Sequence, residues 1–138
     1  MRKILFVLFA VISTPLVSQT ISSADSTADA DKIFEKVDVE ATFPGGGKEW
    51  INFLLKNIDP TVPERKGCRS GTYTVVVQVI VGRDSSIRDV KALTNHGCGM
   101  EEEFMRVIKK CPKWIPATQN GHSVNAYRKI PFTFIVAR

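Results

Sequence analysis

The sequence predicts one small mixed domain in which a β-hairpin carries the sheet and two amphipathic helices cover it. Three observations predict this. Thr72 to Val81 is almost wholly β-branched or aromatic, and Ile87 to Thr94 returns after the turn residues Gly82 to Ser86. Two stretches, Lys48 to Ile58 and Met100 to Lys110, repeat apolar residues at helical spacing. A final stretch ending at Val136 alternates apolar and polar residues as a strand does. Tyr73, Val75, Val77, Val79 and Val81 share one face of the first hairpin strand, and Thr74, Val76 and Ile80 the other. A strand apolar on both faces belongs in the middle of a sheet.

Before the hairpin, Val37, Val39, Ala41 and Phe43 alternate with polar residues, as in a short extended arm laid against the sheet. Phe43-Pro44-Gly45-Gly46-Gly47 then breaks the chain. Three glycines can cradle phosphate, but a phosphate loop needs Gly-Lys-Ser/Thr entering a helix, and here Glu49 and Trp50 follow Lys48. A turn into a helix is the better reading. In that first helix Trp50, Phe53, Leu54 and Ile58, with Ile51 and Leu55 alongside, make a wide apolar stripe. Asp59-Pro60 and Pro63 end it, and residues 60–70 read as a loop.

After the hairpin, Asn95 to Gly99 is a glycine-rich connection. Met100, Phe104, Val107, Ile108 and Cys111 line one face of the second helix. Glu101, Glu102 and Glu103 in its first turn and Lys109 and Lys110 in its last suit the helix dipole, with the acids read as exposed. Pro112 stops it, Lys113 to Ala117 is a rigid connector, and Gln119 to His122 is a turn. The last strand puts Val124, Ala126, Ile130, Phe132, Phe134 and Val136 on its buried face, with Arg128 the polar intruder there. Pro131 cannot donate to a ladder, so this strand is expected at a sheet edge, at least locally.

The 138 residues suffice for one domain. Arg2 and Lys3, the apolar run Ile4 to Ile12 and the small residues up to Ser18 have the layout of a secretory signal peptide. A membrane anchor is the alternative. The run falls short of the ~20 residues a spanning helix needs, and Pro15 interrupts it. No cysteine follows closely enough for lipid attachment. Cleavage near Ser18 removes Arg2 and Lys3 from a formal charge of +5. The remainder is mildly basic, and the pairs Lys109-Lys110 and Arg128-Lys129 lack the interleaved aromatics of a nucleic-acid surface. Residues 19–36 read as a disordered tether of small and acidic residues, reaching about 45 Å at most over its polar part. The globule then occupies residues 37–138.

Export permits disulfides. Cys68 precedes the first hairpin strand and Cys98 follows the second, so antiparallel pairing makes them neighbours. Cys98 and Cys111 flank one helix, about 20 Å apart. A Cys68–Cys98 bridge with Cys111 free is therefore expected, against the alternative of three free thiols.

His96, Cys98, Cys68 and His122 match no zinc spacing. Cys111 with His96 or His122 is a weak nucleophile–base pair, because Cys111 lies on a core-facing helix stripe. With no catalytic, metal or cofactor constellation, the chain reads as a binding protein rather than an enzyme.

Phe43-Pro44-Gly45-Gly46, the strand Val75 to Val81, Ile87-Arg88-Asp89-Val90, Glu101 to Ile108, Pro112-Lys113-Trp114-Ile115-Pro116-Ala117, Gln119-Asn120-Gly121 and Pro131-Phe132-Thr133-Phe134 stand in one order along residues 37 to 136. In that order they resemble the C-terminal domain family of TonB, in the versions common in Bacteroidetes. The Pro-Lys-Trp-x-Pro-Ala block is the most specific part. The resemblance implies an α+β fold, two helices packed on one face of a three-stranded antiparallel sheet, with the first hairpin strand central. It implies a periplasmic protein in a Gram-negative cell. Its partner would be a TonB-box-like segment of an outer-membrane transporter, added as a strand beside the last strand.

The docking border implied here runs from Asn125 to Phe134. It includes Tyr127, Arg128, Lys129, Pro131 and Thr133, with Asn125, Tyr127 and Lys129 pointing outward. An exposed strand edge suits that role. The chain departs from a full energy transducer. Its apolar segment has no ionisable residue, its tether is short, and Asp59-Pro60 stands where the family usually has Tyr-Pro. A secreted binding module is the leading expectation. A short membrane-anchored transducer and an envelope protein that forms a homodimer through the same edge are the alternatives.

Overall fold

The computed structural model describes residues 30–137. The expected signal peptide and most of the expected tether lie outside the described residues. The elements run β1 (Ile33–Phe34), α1 (Gly46–Asn57), α2 (Val62–Arg65), β2 (Gly71–Val81), β3 (Ile87–Ala92), α3 (Met100–Lys109), β4 (Ala117–Gln119) and β5 (His122–Val136).

The antiparallel trio β5-β2-β3 forms the body of the sheet, with β2 central. The fold is α+β, as the resemblance implied. The strand count differs. β1 adds in parallel to the start of β5, and β4 forms a hairpin with β5 across Asn120-Gly121. Two residues of strand, Ile33 and Phe34, are too few to show an alternation. Their main chain nonetheless seats on β5, so the packed chain starts before residue 37. The four-residue α2 was also hidden, because Pro60 and Pro63 read as loop signals. Pro63 is in fact near the first position of a helix, where its missing N–H costs nothing.

β2 and β5 stay in register over Gly71↔Val136 to Val81↔Ala126 without a bulge. On the inner face Val75, Val77, Val79 and Val81 are fully buried, and Ile130, Phe134 and Val136 of β5 are buried on the same face. α3 lays Met100, Phe104, Val107 and Ile108 on them, all fully buried, and the Phe104 ring stacks on Phe132. The arm before α1 bonds its backbone to β4 at Thr118 through Val39 and to the connector at Ile115 through Thr42. That places Phe43 in an aromatic cluster with Trp50, Phe53 and Trp114, at centroid distances of 5.4, 5.3 and 5.9 Å. Such a cluster anchors α1 through its Trp50 and Phe53 stripe.

Two acids of α3 are not exposed. Glu101 is buried and accepts from the His96 N–H at 2.6 Å and from Thr94 Oγ1 at 3.3 Å. Glu103 is buried and accepts from the Asp59 N–H at 2.9 Å, beside an ion pair with Arg106. Arg106 foremost holds the Glu103 carboxyl below its ordinary value. These acids tie the loops before α3 and after α1 to the helix. Cys68 and Cys98 are joined, with Cα atoms 5.8 Å apart. Cys111 is free, and burial pushes its thiol up to about 11.

Candidate functional site

The candidate site is the outer border of β5, and its character follows from main-chain parity. Val76 gives its C=O to the Leu93 N–H at 2.8 Å and its N–H to Thr94 Oγ1 at 3.1 Å, both on the β3 side. Its neighbour across the β2–β5 ladder is Pro131. Main-chain groups alternate sides along an antiparallel pair, so Pro131 directs its own away from β2. By the same alternation Lys129, Thr133 and Ile135 turn their N–H and C=O groups to the outer border. Arg128, Ile130, Phe132 and Phe134 face β2. Among the described residues no strand pairs with that border from Tyr127 to Val136.

The border is shorter than the one read from the sequence. Asn125 is a correction: it is buried, and β1 pairs beside it. Its Nδ2 donates to the Ala30 C=O at 2.9 Å, and its Oδ1 accepts from the Arg83 N–H at 2.9 Å and Arg88 at 3.2 Å. An Asn reads as outward-facing at this strand position because nothing local signals the β1 contact nearly a hundred residues away.

The remaining residues divide between the two faces. Tyr127, half-buried, shares a broad hollow of the open sheet face with Gln78, Ile80 and Glu35. Lys129, Pro131 and Thr133 are exposed along the border. Thr133 Oγ1 lies 3.0 Å from Thr74 Oγ1. Arg128 turns to the helix side and pairs with Glu40, while its Nε has no partner.

On the helix side, α1 runs along the border and leaves a trough beside it. A cleft of about 190 Å³ lies between Gly46, Gly47 and Trp50 of α1 and residues 128–131 of β5. A second, of about 440 Å³, lies between Ile51, Leu55, Ile58 and Pro60 and residues 131–133. Ile51 is 57% and Leu55 74% exposed. In the sequence both stand alongside the apolar stripe of α1. The signal for the trough was the stripe's width, greater than one buried face needs.

The sheet's other border, β3, is differently made. Asp89 has φ of 50°, the β2–β3 register shifts between Gln78 and Ile80, and Arg88, Asp89 and Lys91 are exposed. A bulge and charges are devices that blunt an edge against pairing. The β5 border carries only Lys129 and Pro131 of that kind.

Among the described residues no helix is long and apolar enough to cross a membrane. No curated protein and no solved structure matches the chain. The model of the Gram-negative bacterial TonB protein C-terminal family matches residues 61–136, from α2 to the end of β5. The chain belongs to the TonB C-terminal domain family.

Proposed function

We propose that this protein is an exported binding module that takes up an extended segment of a TonB-dependent outer-membrane transporter as an added strand on the outer border of β5. The observation that carries the reading is the run of main-chain groups at Lys129, Pro131, Thr133 and Ile135 turned away from β2, with no strand beside them among the described residues. An unpaired, regular edge is a template for a partner's backbone. The bulged and charged border of β3 offers no equal template. Family membership, whose members interact with transporters of this kind, supports the class of partner. The layout of Arg2, Lys3 and the run Ile4 to Ile12 supports delivery to the periplasm.

The test is binding of immobilised periplasmic plug segments from transporters of the source cell. Capture of the full chain by one or more of them, lost when the peptide backbone is N-methylated, is expected. A chain that binds none of them and runs as a dimer with the β5 border protected would overturn the reading in favour of self-association. Release of the mature protein by osmotic shock, at a mass lacking residues 1–18, is expected. Retention at full length in the membrane would make it an anchored protein.

A further inference from the structure

We infer that the end of the protein formed by the β2–β3 turn and the close of α3 docks on an anionic phospholipid membrane, with a lipid seated in the cleft between Lys109, Lys113 and the turn. This surface is separate from the β5 border and does not depend on strand addition.

The turn is held closed by its own bonds. Gly82 donates its N–H to the Ser86 C=O at 2.8 Å, and Asp84 Oδ1 accepts from the Ser86 N–H at 3.1 Å and hydroxyl at 2.6 Å. The segment after α3 docks on it, since Trp114 donates its N–H to the Ser85 C=O at 3.2 Å. That contact brings Lys109 and Lys113 to the turn, where they line a cleft of about 280 Å³ with Ile87, Val90 and Pro112 as apolar floor. Arg83 and Arg88 belong to the same turn region. Both meet Asn125, Arg83 through its main-chain N–H and Arg88 through its guanidinium.

Arg83, Arg88, Lys109, Lys110 and Lys113 are all exposed, and none forms an ion pair among the described residues. Two carboxylates stand in the same segments, Asp84, engaged by Ser86, and Asp89. Five cations against two acids make this end strongly positive. The dipole of α3 calls for Lys109 and Lys110 at its C-terminus. It does not call for Lys113, Arg83 or Arg88, which lie outside the helix.

The occupant follows from shape, charge and the path of the chain. A hairpin tip beside a helix end offers no strand template, because the nearby β3 border is bulged at Asp89 and charged. Lysines at the rim of an apolar floor match a lipid, with phosphate at the ammonium groups and glycerol and first methylenes at Ile87 and Val90. Each Lys or Arg near an anionic bilayer adds to the attraction, within about a Debye length. The chain enters the globule at this end, since Ala30 is bonded to the same Asn125 that holds Arg83. The apolar run Ile4 to Ile12 therefore connects to the globule beside the basic surface. β5 passes this end where Ala126 pairs with Val81, and its border then leads away to Val136, so docking leaves the border open.

The experiment uses the exported chain from residue 19, so that the run Ile4 to Ile12 cannot itself insert; every element of the fold lies after residue 30. Co-sedimentation is measured with vesicles of phosphatidylglycerol and phosphatidylethanolamine, and with vesicles of phosphatidylcholine. Binding to the anionic vesicles is expected to be about tenfold tighter, and to be lost between about 0.1 M and about 1 M salt. Lys109→Glu, Lys110→Glu and Lys113→Glu together should abolish the preference with little change in melting temperature, and the corresponding glutamine triple should weaken it. The charge-matched triple Lys56→Glu, Lys66→Glu and Arg69→Glu, away from the β2–β3 turn, should keep most of it. Half-buried Cys111 lines the same cleft, so its alkylation should slow several-fold on the anionic vesicles.

Equal losses from the two glutamate triples would reduce the effect to net charge and overturn the inference. Equal binding to both kinds of vesicle, or an unchanged Cys111 rate on bound vesicles, would overturn it too. Displacement from the vesicles by inorganic phosphate or by an aspartate-rich peptide at equal charge concentration would show a free anion or an acidic protein to be the ligand instead. None of these outcomes bears on capture of a plug segment at β5, which is measured separately.

Discussion

Val76 and Pro131 face each other across the β2–β5 ladder at a pair where neither strand donates to the other. Pro131 therefore costs the sheet no hydrogen bond and deletes one donor from the outer border. A proline in a long central-looking strand is otherwise out of place. Its position tells which main-chain groups of β5 are spoken for.

The same parity predicts where a further proline is tolerated. Thr133→Pro removes an outward N–H and the cross-strand pair with Thr74, worth about 1 kcal/mol at most. The fold should survive, and binding of a plug segment should fall at least tenfold. Phe132→Pro removes an N–H that faces β2 and should cost about 3 kcal/mol or more, with Phe132→Leu as control for the ring. Tyr127→Ala should affect binding less than Thr133→Pro. Melting curves and titrations of the variants decide this. Equal losses of binding for Tyr127→Ala and Thr133→Pro would point to a side-chain pocket instead.

The glycines before α1 are not equivalent. Gly45 has φ of 86°, and a Cβ there would lie 2.5 Å from Glu49 Cγ. Gly45→Ala should destabilise by about 1–2 kcal/mol, the cost of a left-handed backbone for an L-residue. Gly47 lies within α1 and has open space around it. Gly47→Ala should stabilise by about 0.5–1 kcal/mol through the unfolded chain. Thermal unfolding of the two variants checks the pair. Shifts of the same sign would show the turn to be drawn wrongly.

Acid should unfold the protein partly through Glu103. Its carboxyl is held below its ordinary 4.5 by Arg106 first, and also by the Asp59 N–H. A depressed carboxylate stabilises fully above its unfolded value, and the contribution fades as pH falls from about 4.5 through the lower folded value. Asp59, held at about 2 chiefly by Thr61 and then Arg65, acts in the same direction at still lower pH. Denaturant titrations from pH 7 to pH 3 should show a steeper loss in the wild type than in Glu103→Gln. Parallel curves would remove Glu103 from the account.

Reduction is expected to lower stability by about 2–4 kcal/mol, because the Cys68–Cys98 bridge closes a loop across a separation of 30 residues. One thiol should titrate in the native oxidised protein, and slowly at pH 8, since burial raises Cys111 to about 11. Its sulfur donates to the Val107 C=O at 3.9 Å. Three reactive thiols with no stability change on reduction would exclude the bridge.

Much of the fold was legible because its long elements obey a single period. The valines of β2 and the stripe of α3 each name their own buried face. The parts that were not legible depend on distant contacts. Ile33 and Phe34 form a strand through contacts with Asn125 and Ala126, nearly a hundred residues away, and Asn125 is buried beside them. Glu101 and Glu103 look like a solvated first turn until the 94–96 loop and Asp59 fold onto them. The border strand itself could be read, since Pro131 marks an edge. Its extent could not, because that is set by where β1 and β4 stop.

Amide hydrogen exchange along β5 tests the central claim most directly. In the free protein the N–H groups of Lys129, Thr133 and Ile135 should exchange fast, while those of Ile130, Phe132 and Phe134 are protected by β2. On adding a captured plug segment, the first three should become protected and the others change little. Protection of Lys129, Thr133 and Ile135 in the free monomer, or their continued fast exchange in the saturated complex, would contradict strand addition at this border.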